Sequence, residues 1–240
     1  PTDFSENAQK AIDYALALYE KEECTFYLMH AYHDVPSAPG NKMSAKEDLI
    51  ELTKTLRARN NRNHSFEEVL ERDSVINLTN RTIIDKAIDF LIIGTKGSSA
   101  IKEIFMGSVT LSIIKHLNAC PIIAVPSEYD YHRMQEMVFI TDFKHIFKTN
   151  ELAPQIHIST LCNANLNVVH IKTQEAFNDT QKLNKKLLSN ALKGTKHLFI
   201  EVEPQESVAA TVFQRLLREP IIKSIAFKTK VPLLVLPIVE

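Results

Sequence analysis

Short apolar runs alternate along the first half of the chain with stretches in which apolar residues recur every three to four positions. The apolar runs lie at 26–31, 66–70, 90–93 and 121–126, and the last of these is bracketed by prolines. Such runs are typical of buried strands, and the recurring pattern is typical of amphipathic helices. Strands that alternate with helices predict an α/β fold with a parallel sheet and right-handed crossovers.

One helix is predicted before the first of these strands, and three are predicted between them. Ser5 is the candidate N-cap of the first helix, whose apolar residues run from Ala8 to Tyr19. The other three predicted helices cover residues 44–59, 74–87 and 109–117.

The pattern starts again after a polar segment at residues 127–135. Residues 137–143 resemble residues 1–4, residues 167–171 resemble 27–31, and residues 232–237 resemble 121–126. Similarity that recurs in the same order indicates an internal duplication. The sequence therefore predicts two domains, residues 1–127 and residues 128–240.

The second copy is shorter than the first, and the deficit falls where a fourth strand and its glycine loop would lie. A helical pattern at 206–213 runs almost directly into residues 215–220. The neighbours of a deleted central strand would lose their backbone partners. We therefore expect the protein to contain further segments before residue 1 and near residues 213–215.

Composition narrows the functional classes. A formal net charge of −1 provides no basic surface for nucleic acid. No apolar stretch is long enough to span a membrane and no signal peptide pattern is present, which predicts a cytoplasmic protein without membrane partners. The three cysteines contain no C-x-x-C pair, which argues against a disulfide framework or a zinc site.

Three of the five glycines fall in one short pattern, G-x2-G-x9-G-S, formed by Gly94, Gly97, Gly107 and Ser108. The pattern follows the apolar run 89–93 and precedes a helix. Backbone N–H groups without a neighbouring side chain can approach phosphate oxygens there, and a helix N-terminus adds partial positive charge. The pattern predicts a nucleotide-phosphate site. The alternative is a tight turn with close helix–sheet packing and no ligand.

The glycine pattern occurs together with three other features. Asp3 follows the position of the first strand, His30 ends the second strand, and prolines bracket the strand at 121–126. This combination resembles the universal stress protein family. The resemblance is strong over residues 1–126 and weaker over 131–240. It implies two tandem doubly wound parallel five-stranded sheets of order 3-2-1-4-5, an adenine nucleotide alpha hydrolase-like fold. ATP, with or without Mg²⁺, would bind outside the carboxyl ends of strands one and four.

The resemblance also implies a role for each candidate ligand-binding residue. Gly94 and Gly97 would lie on the phosphate loop, and Lys96 would neutralise phosphate charge unless it is an idle surface lysine. Asp3 would contact ribose hydroxyls, because its carboxylate would repel phosphate. Four further candidates would lie at the helix N-terminus: Gly107, Ser108, Val109 and Thr110. The last three would lie near adenine: Pro1, Thr2 and Ala31.

The second copy does not retain the phosphate pattern. Aligned on the prolines that open the last strands, Gly107 corresponds to Arg218 and Ser108 to Glu219. Glutamate repels phosphate, and arginine blocks close approach to the backbone. We expect a degenerate domain that acts as a pseudo-dimer partner, with residues 122–125 and 233–236 as the candidate pairing strands. The alternative is that each is simply a buried strand of its own sheet, and a further homodimer is also compatible with the pattern.

No nucleophile motif, zinc-protease motif or Walker lysine is present, so no catalytic residue and no metal ligand is predicted. His30 and His170 are expected to be structural. The sequence thus predicts an ATP-binding regulatory protein of the stress response that is not an enzyme. The alternatives are a nucleotide-free interaction module and, less favoured, a slow ATPase or AMP-forming enzyme.

Overall fold

The alternation of helices and strands is confirmed in the computed structural model, which describes residues 1–33, 41–59, 61–96, 107–172, 176–202 and 231–236. The elements in chain order are α1 Glu6–Leu18, β1 Cys24–Tyr32, α2 Asn41–Arg57, β2 His64–Arg72, α3 Val75–Asp85, β3 Leu91–Gly94, α4 Ser108–His116, β4 Ile122–Val125, β5 Glu136–Ile140, α5 Thr149–Cys162, β6 Asn165–Ile171, α6 Asp179–Ala191, β7 His197–Val202 and β8 Leu233–Val235. Among the described helices, none is long and apolar enough to cross a membrane.

The chain divides into two compact units. Among the described residues, unit 1 holds 1–131 and 231–236, and unit 2 holds 132–202. The helical patterns predicted at 206–213 and 215–220 lie outside the described residues.

Parallel pairing dominates unit 1, as the alternating pattern predicts. β1 pairs with β2 over nine residues from Cys24↔His64 to Tyr32↔Arg72. β3 pairs in parallel with β4, whose other edge pairs antiparallel with β8. The pairing of the two proline-bracketed strands is therefore confirmed. The full five-strand order 3-2-1-4-5 stays a prediction. It counts the position of residues 1–3 as strand one, so β1–β2 correspond to its neighbours 2 and 3, and β3–β4 to its neighbours 4 and 5.

Several elements of unit 1 begin or end beyond the residues that their apolar patterns indicate. The strand predicted at 66–70 extends over His64–Arg72, because its polar ends complete the ladder with β1. The helix predicted from residue 44 begins at Asn41. Its buried face places Leu49 and Leu56 against Leu28.

Helix α1 begins where its capping residue predicts. The Ser5 hydroxyl accepts a hydrogen bond from the Ala8 N–H at 3.3 Å, which satisfies one of the first-turn donors that a helix leaves without partners. The buried face of α1 includes Asn7, Ala11, Tyr14 and Leu18. Asn7 is thus a polar residue on a largely apolar face.

Unit 2 contains a three-stranded parallel sheet of order β5-β6-β7. Its core lies on the face covered by α5 and α6 and consists of Phe143, Leu152, Leu166, Val168, Leu188 and Leu192. At the start of α6, Asn178 and Gln181 form a reciprocal capping box.

An ion pair on unit 2 makes its stability depend on pH. Lys185 Nζ donates to Glu201 Oε1 at 2.8 Å, and this hydrogen bond is the main cause that lowers the pKa of Glu201 below its ordinary value. A carboxyl with a depressed folded-state pKa stabilises the fold above its unfolded pKa, and this contribution is lost as pH falls through the folded-state pKa.

We therefore expect Glu201→Gln to lower the melting temperature at about pH 7 and the difference from wild type to shrink toward about pH 3, because the wild-type carboxyl loses its charge as pH falls through its folded-state pKa. Thermal unfolding at both pH values measures this. The same difference between variant and wild type at the two pH values would contradict the assignment.

Candidate functional site

The first residues of unit 1 are held against β1. The Thr2 N–H donates to the Met29 carbonyl at 2.8 Å, and the His30 ring shares a hydrogen bond of 2.8 Å between Nδ1 and the Thr2 carbonyl. Because a carbonyl oxygen only accepts, Nδ1 is the protonated nitrogen. His30 therefore has the structural role that the sequence predicts. The same contacts place Pro1 and Thr2 beside β1, which also carries Ala31.

Asp3 lies at the turn that leads into α1. Phe4 has a positive φ of 61°, and its N–H donates to the Thr2 hydroxyl at 3.0 Å. Asp3 Oδ1 accepts from the Ser5 N–H at 3.1 Å and from the Ser5 hydroxyl at 2.6 Å. The exposed carboxylate is thus held next to the N-terminus of α1.

Three consecutive backbone carbonyls at the end of β3 are each bound by a different donor. The Gly94 carbonyl accepts from Thr110 Oγ1 at 2.9 Å. The Thr95 carbonyl accepts from the Gly107 N–H at 2.6 Å. The Lys96 carbonyl accepts from Asn7 Nδ2 at 2.5 Å. The backbone of residues 94–96, here called the loop entrance, is therefore fixed between α1 and α4.

Close packing requires a glycine at position 94. A Cβ at this position would lie 2.4 Å from Asn7 Nδ2 and 2.8 Å from the Asn7 carbonyl oxygen. Both distances are shorter than real carbon contacts allow, so α1 could not approach β3 this closely with a side chain at position 94. For this glycine, the close-packing alternative is a sufficient structural reason.

The N-terminus of α4 lies beside the loop entrance. Gly107 is its N-cap and provides no side-chain cap hydrogen bond. Ser108 is exposed and Val109 is 48 % exposed, whereas Thr110 is buried. The first-turn N–H groups of a helix have no partner within the helix, and their partial positive charge favours an anion. The Gly107 N–H itself is used by Thr95, so the amides of 108–110 are the ones that an anion would meet.

The predicted residues form two groups joined by α1. Pro1, Thr2, Asp3 and Ala31 lie at the end of β1, and Gly94, Lys96, Gly107, Ser108, Val109 and Thr110 lie at the end of β3 and the start of α4. Gly97 lies outside the described residues. Sequence reasoning missed Asn7 and Thr95. A polar residue at the start of the buried face of α1 was the available signal for Asn7.

Comparison with known proteins identifies this arrangement. A family model described as "Universal stress protein family" matches residues 1–126, which carry both groups of predicted residues. The chain belongs to the universal stress protein family. This membership implies a role in the stress response. A search of curated proteins finds no match.

Solved structures support the fold. A universal stress protein from Archaeoglobus fulgidus DSM 4304 is similar at 15 % identity and a TM-score of 0.66, covering 98 % of this chain and 94 % of that one. A candidate universal stress protein from Pseudomonas aeruginosa UCBPP-PA14 is similar at 11 % identity and a TM-score of 0.62, covering 94 % of this chain and 87 % of that one. At these identities the similarity concerns the fold alone.

Unit 2 of this universal stress protein repeats the turn at the start of unit 1. The Phe143 N–H donates to the Thr141 hydroxyl at 3.0 Å, and Phe143 has a positive φ of 57°. The His170 ring shares a hydrogen bond of 3.1 Å between Nδ1 and the Thr141 carbonyl. Asp142 Oδ1 accepts from the Lys144 N–H at 2.9 Å. The contacts of Thr2, Asp3, Phe4 and His30 therefore recur with the same atoms.

The surroundings of the repeated turn differ between the units. Phe4 is 36 % exposed, whereas Phe143 is only 1 % exposed. Phe177 packs edge-on against Phe143 with ring centroids 5.4 Å apart. Gln181 on α6 donates to the Asp142 carbonyl at 2.8 Å. The turn of unit 2 is covered by protein groups where the turn of unit 1 is open.

The described thiols show no reactive character. Cys24, Cys120 and Cys162 are free, and burial is the main cause that raises the pKa of the Cys120 thiol to about 11. A protonated thiol is a poor nucleophile and a poor metal ligand. Within the described ranges, no group of three or more His, Cys, Asp or Glu residues could hold a metal ion.

Proposed function

We propose that this chain is a cytoplasmic, ATP-binding regulatory protein of the stress response and that unit 1 holds the nucleotide. The observation that carries the proposal is the loop entrance beside the N-terminus of α4. All three of its carbonyls are bound by protein donors, and the adjacent first turn of α4 has a glycine N-cap that provides no side-chain hydrogen bond to the helix amides.

This arrangement favours an anion for an electrostatic reason. Carbonyl oxygens directed at a phosphate would repel it, and those of residues 94–96 are turned to Thr110, Gly107 and Asn7 instead. The first-turn amides of α4 and the Ser108 hydroxyl remain as donors for phosphate oxygens. Lys96 belongs to the loop entrance, and its side chain would add positive charge there. Mg²⁺ bound with ATP would add positive charge as well.

The opposite end of the nucleotide is assigned to the residues at the end of β1. Asp3 is exposed and carries acceptor oxygens, which suit the hydroxyl donors of ribose. The backbone groups of Pro1, Thr2 and Ala31 would contact adenine, and Gly97 would continue the phosphate loop. These assignments come from family membership and are consistent with the position of each described residue.

We further propose that the second domain is a degenerate copy that binds no nucleotide. Its repeated turn is covered by Phe177 and α6, and the sequence positions that match Gly107 and Ser108 are Arg218 and Glu219. Its role would be that of a pseudo-dimer partner. β8 belongs to the second copy of the sequence but lies in unit 1 of the structure, and its antiparallel pairing with β4 supports this role.

The protein would act by changing its partner contacts when ATP binds, without chemical turnover. The sequence contains no Walker lysine motif, which disfavours ordinary P-loop hydrolysis. The nucleotide-free interaction module is supported by the close packing that explains Gly94 on its own. ATP turnover that is lost in Asp3→Ala would favour the enzyme, and the absence of any nucleotide binding would favour the interaction module.

Gly107→Arg tests the proposed site by introducing the residue of the second domain. Gly107 has φ −66°, which any residue adopts, so the fold should tolerate the change. The arginine side chain would fill the space in front of the first turn of α4. We expect ATP to bind about 100-fold more weakly, which corresponds to about 2.7 kcal/mol.

The dissociation constant of ATP measures this, with Ile84→Arg as the control. Ile84 is 71 % exposed on α3, so the control adds the same charge away from the site. Equal ATP affinity in Gly107→Arg and wild type would refute the location of the site.

A further inference from the structure

Asn7 is an unusual residue for the buried face of α1. It is 7 % exposed, and it stands in the first turn among the apolar residues that pack this helix on the sheet. Its Nδ2 donates to the Lys96 carbonyl at 2.5 Å, across 89 positions of sequence. A single side chain thus joins α1, which begins beside Asp3, to the loop entrance.

Gly94 and Asn7 are complementary in shape. The space that a Cβ would need at position 94 is taken by the amide and backbone of Asn7, at 2.4 Å from Nδ2 and 2.8 Å from the carbonyl oxygen. The missing side chain at Gly94 is what allows the Asn7 amide to reach past the end of β3. The lack of a side chain at Gly94 and the amide of Asn7 therefore act together to hold the Lys96 carbonyl in place.

The Asn7 amide is only half satisfied. Its Oδ1 is buried, and no hydrogen-bond partner for it exists among the described residues. A buried acceptor without a donor destabilises the fold relative to an apolar group of the same shape. Stability alone therefore does not account for an asparagine here, whereas the Nδ2 bond to the loop entrance does.

We propose that Asn7 is a positioning residue for the phosphate end of the nucleotide. It holds the Lys96 carbonyl on the α1 side, away from the phosphates, and so prepares the loop entrance for an anion. This inference rests on the proposed ATP site but adds a residue outside the glycine pattern. Its effect is confined to the phosphate end, because the groups assigned to ribose and adenine do not depend on the Asn7 amide.

Asn7→Leu and Asn7→Asp test the proposal together. Leucine has a similar shape but removes both the donor and the unpaired acceptor. Aspartate keeps the shape but replaces the donor with a charged acceptor that repels the Lys96 carbonyl. Dissociation constants for ATP, AMP and adenosine, together with the melting temperature without ligand, are measured for both variants and for wild type.

We expect Asn7→Leu to bind ATP at least about tenfold more weakly, with AMP and adenosine changed by less than about twofold. Its melting temperature without ligand should equal or exceed that of wild type. Asn7→Asp should weaken ATP binding further. ATP affinity within twofold of wild type in both variants, or an equal loss for all three ligands, would overturn the positioning role. A wild type that binds none of the ligands would overturn the proposed function, and this inference with it.

Discussion

Phe143→Ala is expected to lower the free energy of unfolding of unit 2 by about 3–5 kcal/mol, the range for removing a buried aromatic side chain. Phe143 is 1 % exposed. Its ring lies 5.3 Å from the His170 ring, 5.4 Å from Phe177 and 6.2 Å from Phe199. Removing it leaves a cavity between β6, β7 and the segment before α6, and separates rings that stabilise one another.

Urea denaturation followed by circular dichroism measures this loss, and Phe4→Ala is the matched control. Phe4 has the same local contacts at the start of unit 1 but is 36 % exposed. Phe4→Ala should lower the free energy of unfolding by no more than about 1–2 kcal/mol, because Phe4 is already partly exposed to solvent. Equal costs for the two variants would contradict the difference in burial between the two turns.

Gly94→Ala is expected to reduce stability and ATP binding together. The new Cβ would overlap the Asn7 amide and backbone carbonyl, so α1 must move away from β3 or the amide must leave the Lys96 carbonyl. Overpacking of this kind costs about 1–3 kcal/mol. The loop entrance would be displaced in either case, and we expect ATP affinity to fall at least about tenfold.

A double-mutant cycle separates the two consequences. In an Asn7→Ala background, two of the three atoms nearest to the new Cβ are removed and the backbone carbonyl oxygen remains. The loss of unfolding free energy caused by Gly94→Ala should therefore be clearly smaller than in the wild type. Additive costs would show that the Asn7 side chain is not what occupies the space. Calorimetric titration of the two single variants with ATP provides the affinities.

The sequence predicts the elements of this fold well because its hydrophobic periods are regular. Apolar strand runs locate β3 and β4, and the proline-bracketed repeat locates β8 and its pairing with β4. The strand β2 is predicted too short because its outer residues are polar, and only the partner strand reveals that they belong to the ladder. Element ends that depend on a neighbour are therefore the least accessible from sequence.

The candidate site is predictable only in part. The glycine pattern locates the loop entrance, and the repeat locates Asp3 and His30. The contact between Asn7 and Lys96 joins residues that are far apart in the chain, and no local pattern specifies it. The packing of Phe177 over Phe143 likewise depends on the path of the chain after β6. Sequence therefore indicates which residues form the candidate site better than it indicates which side chains hold those residues in place.

Calorimetric titration of the unmodified chain with Mg·ATP tests the central claim most directly. The single nucleotide site proposed for unit 1 and the covered turn of unit 2 predict saturable binding with one ATP per chain and no release of ADP during the titration. Two sites per chain would contradict the degenerate second domain. No binding at all would contradict the nucleotide site and leave the glycine at position 94 explained by packing alone.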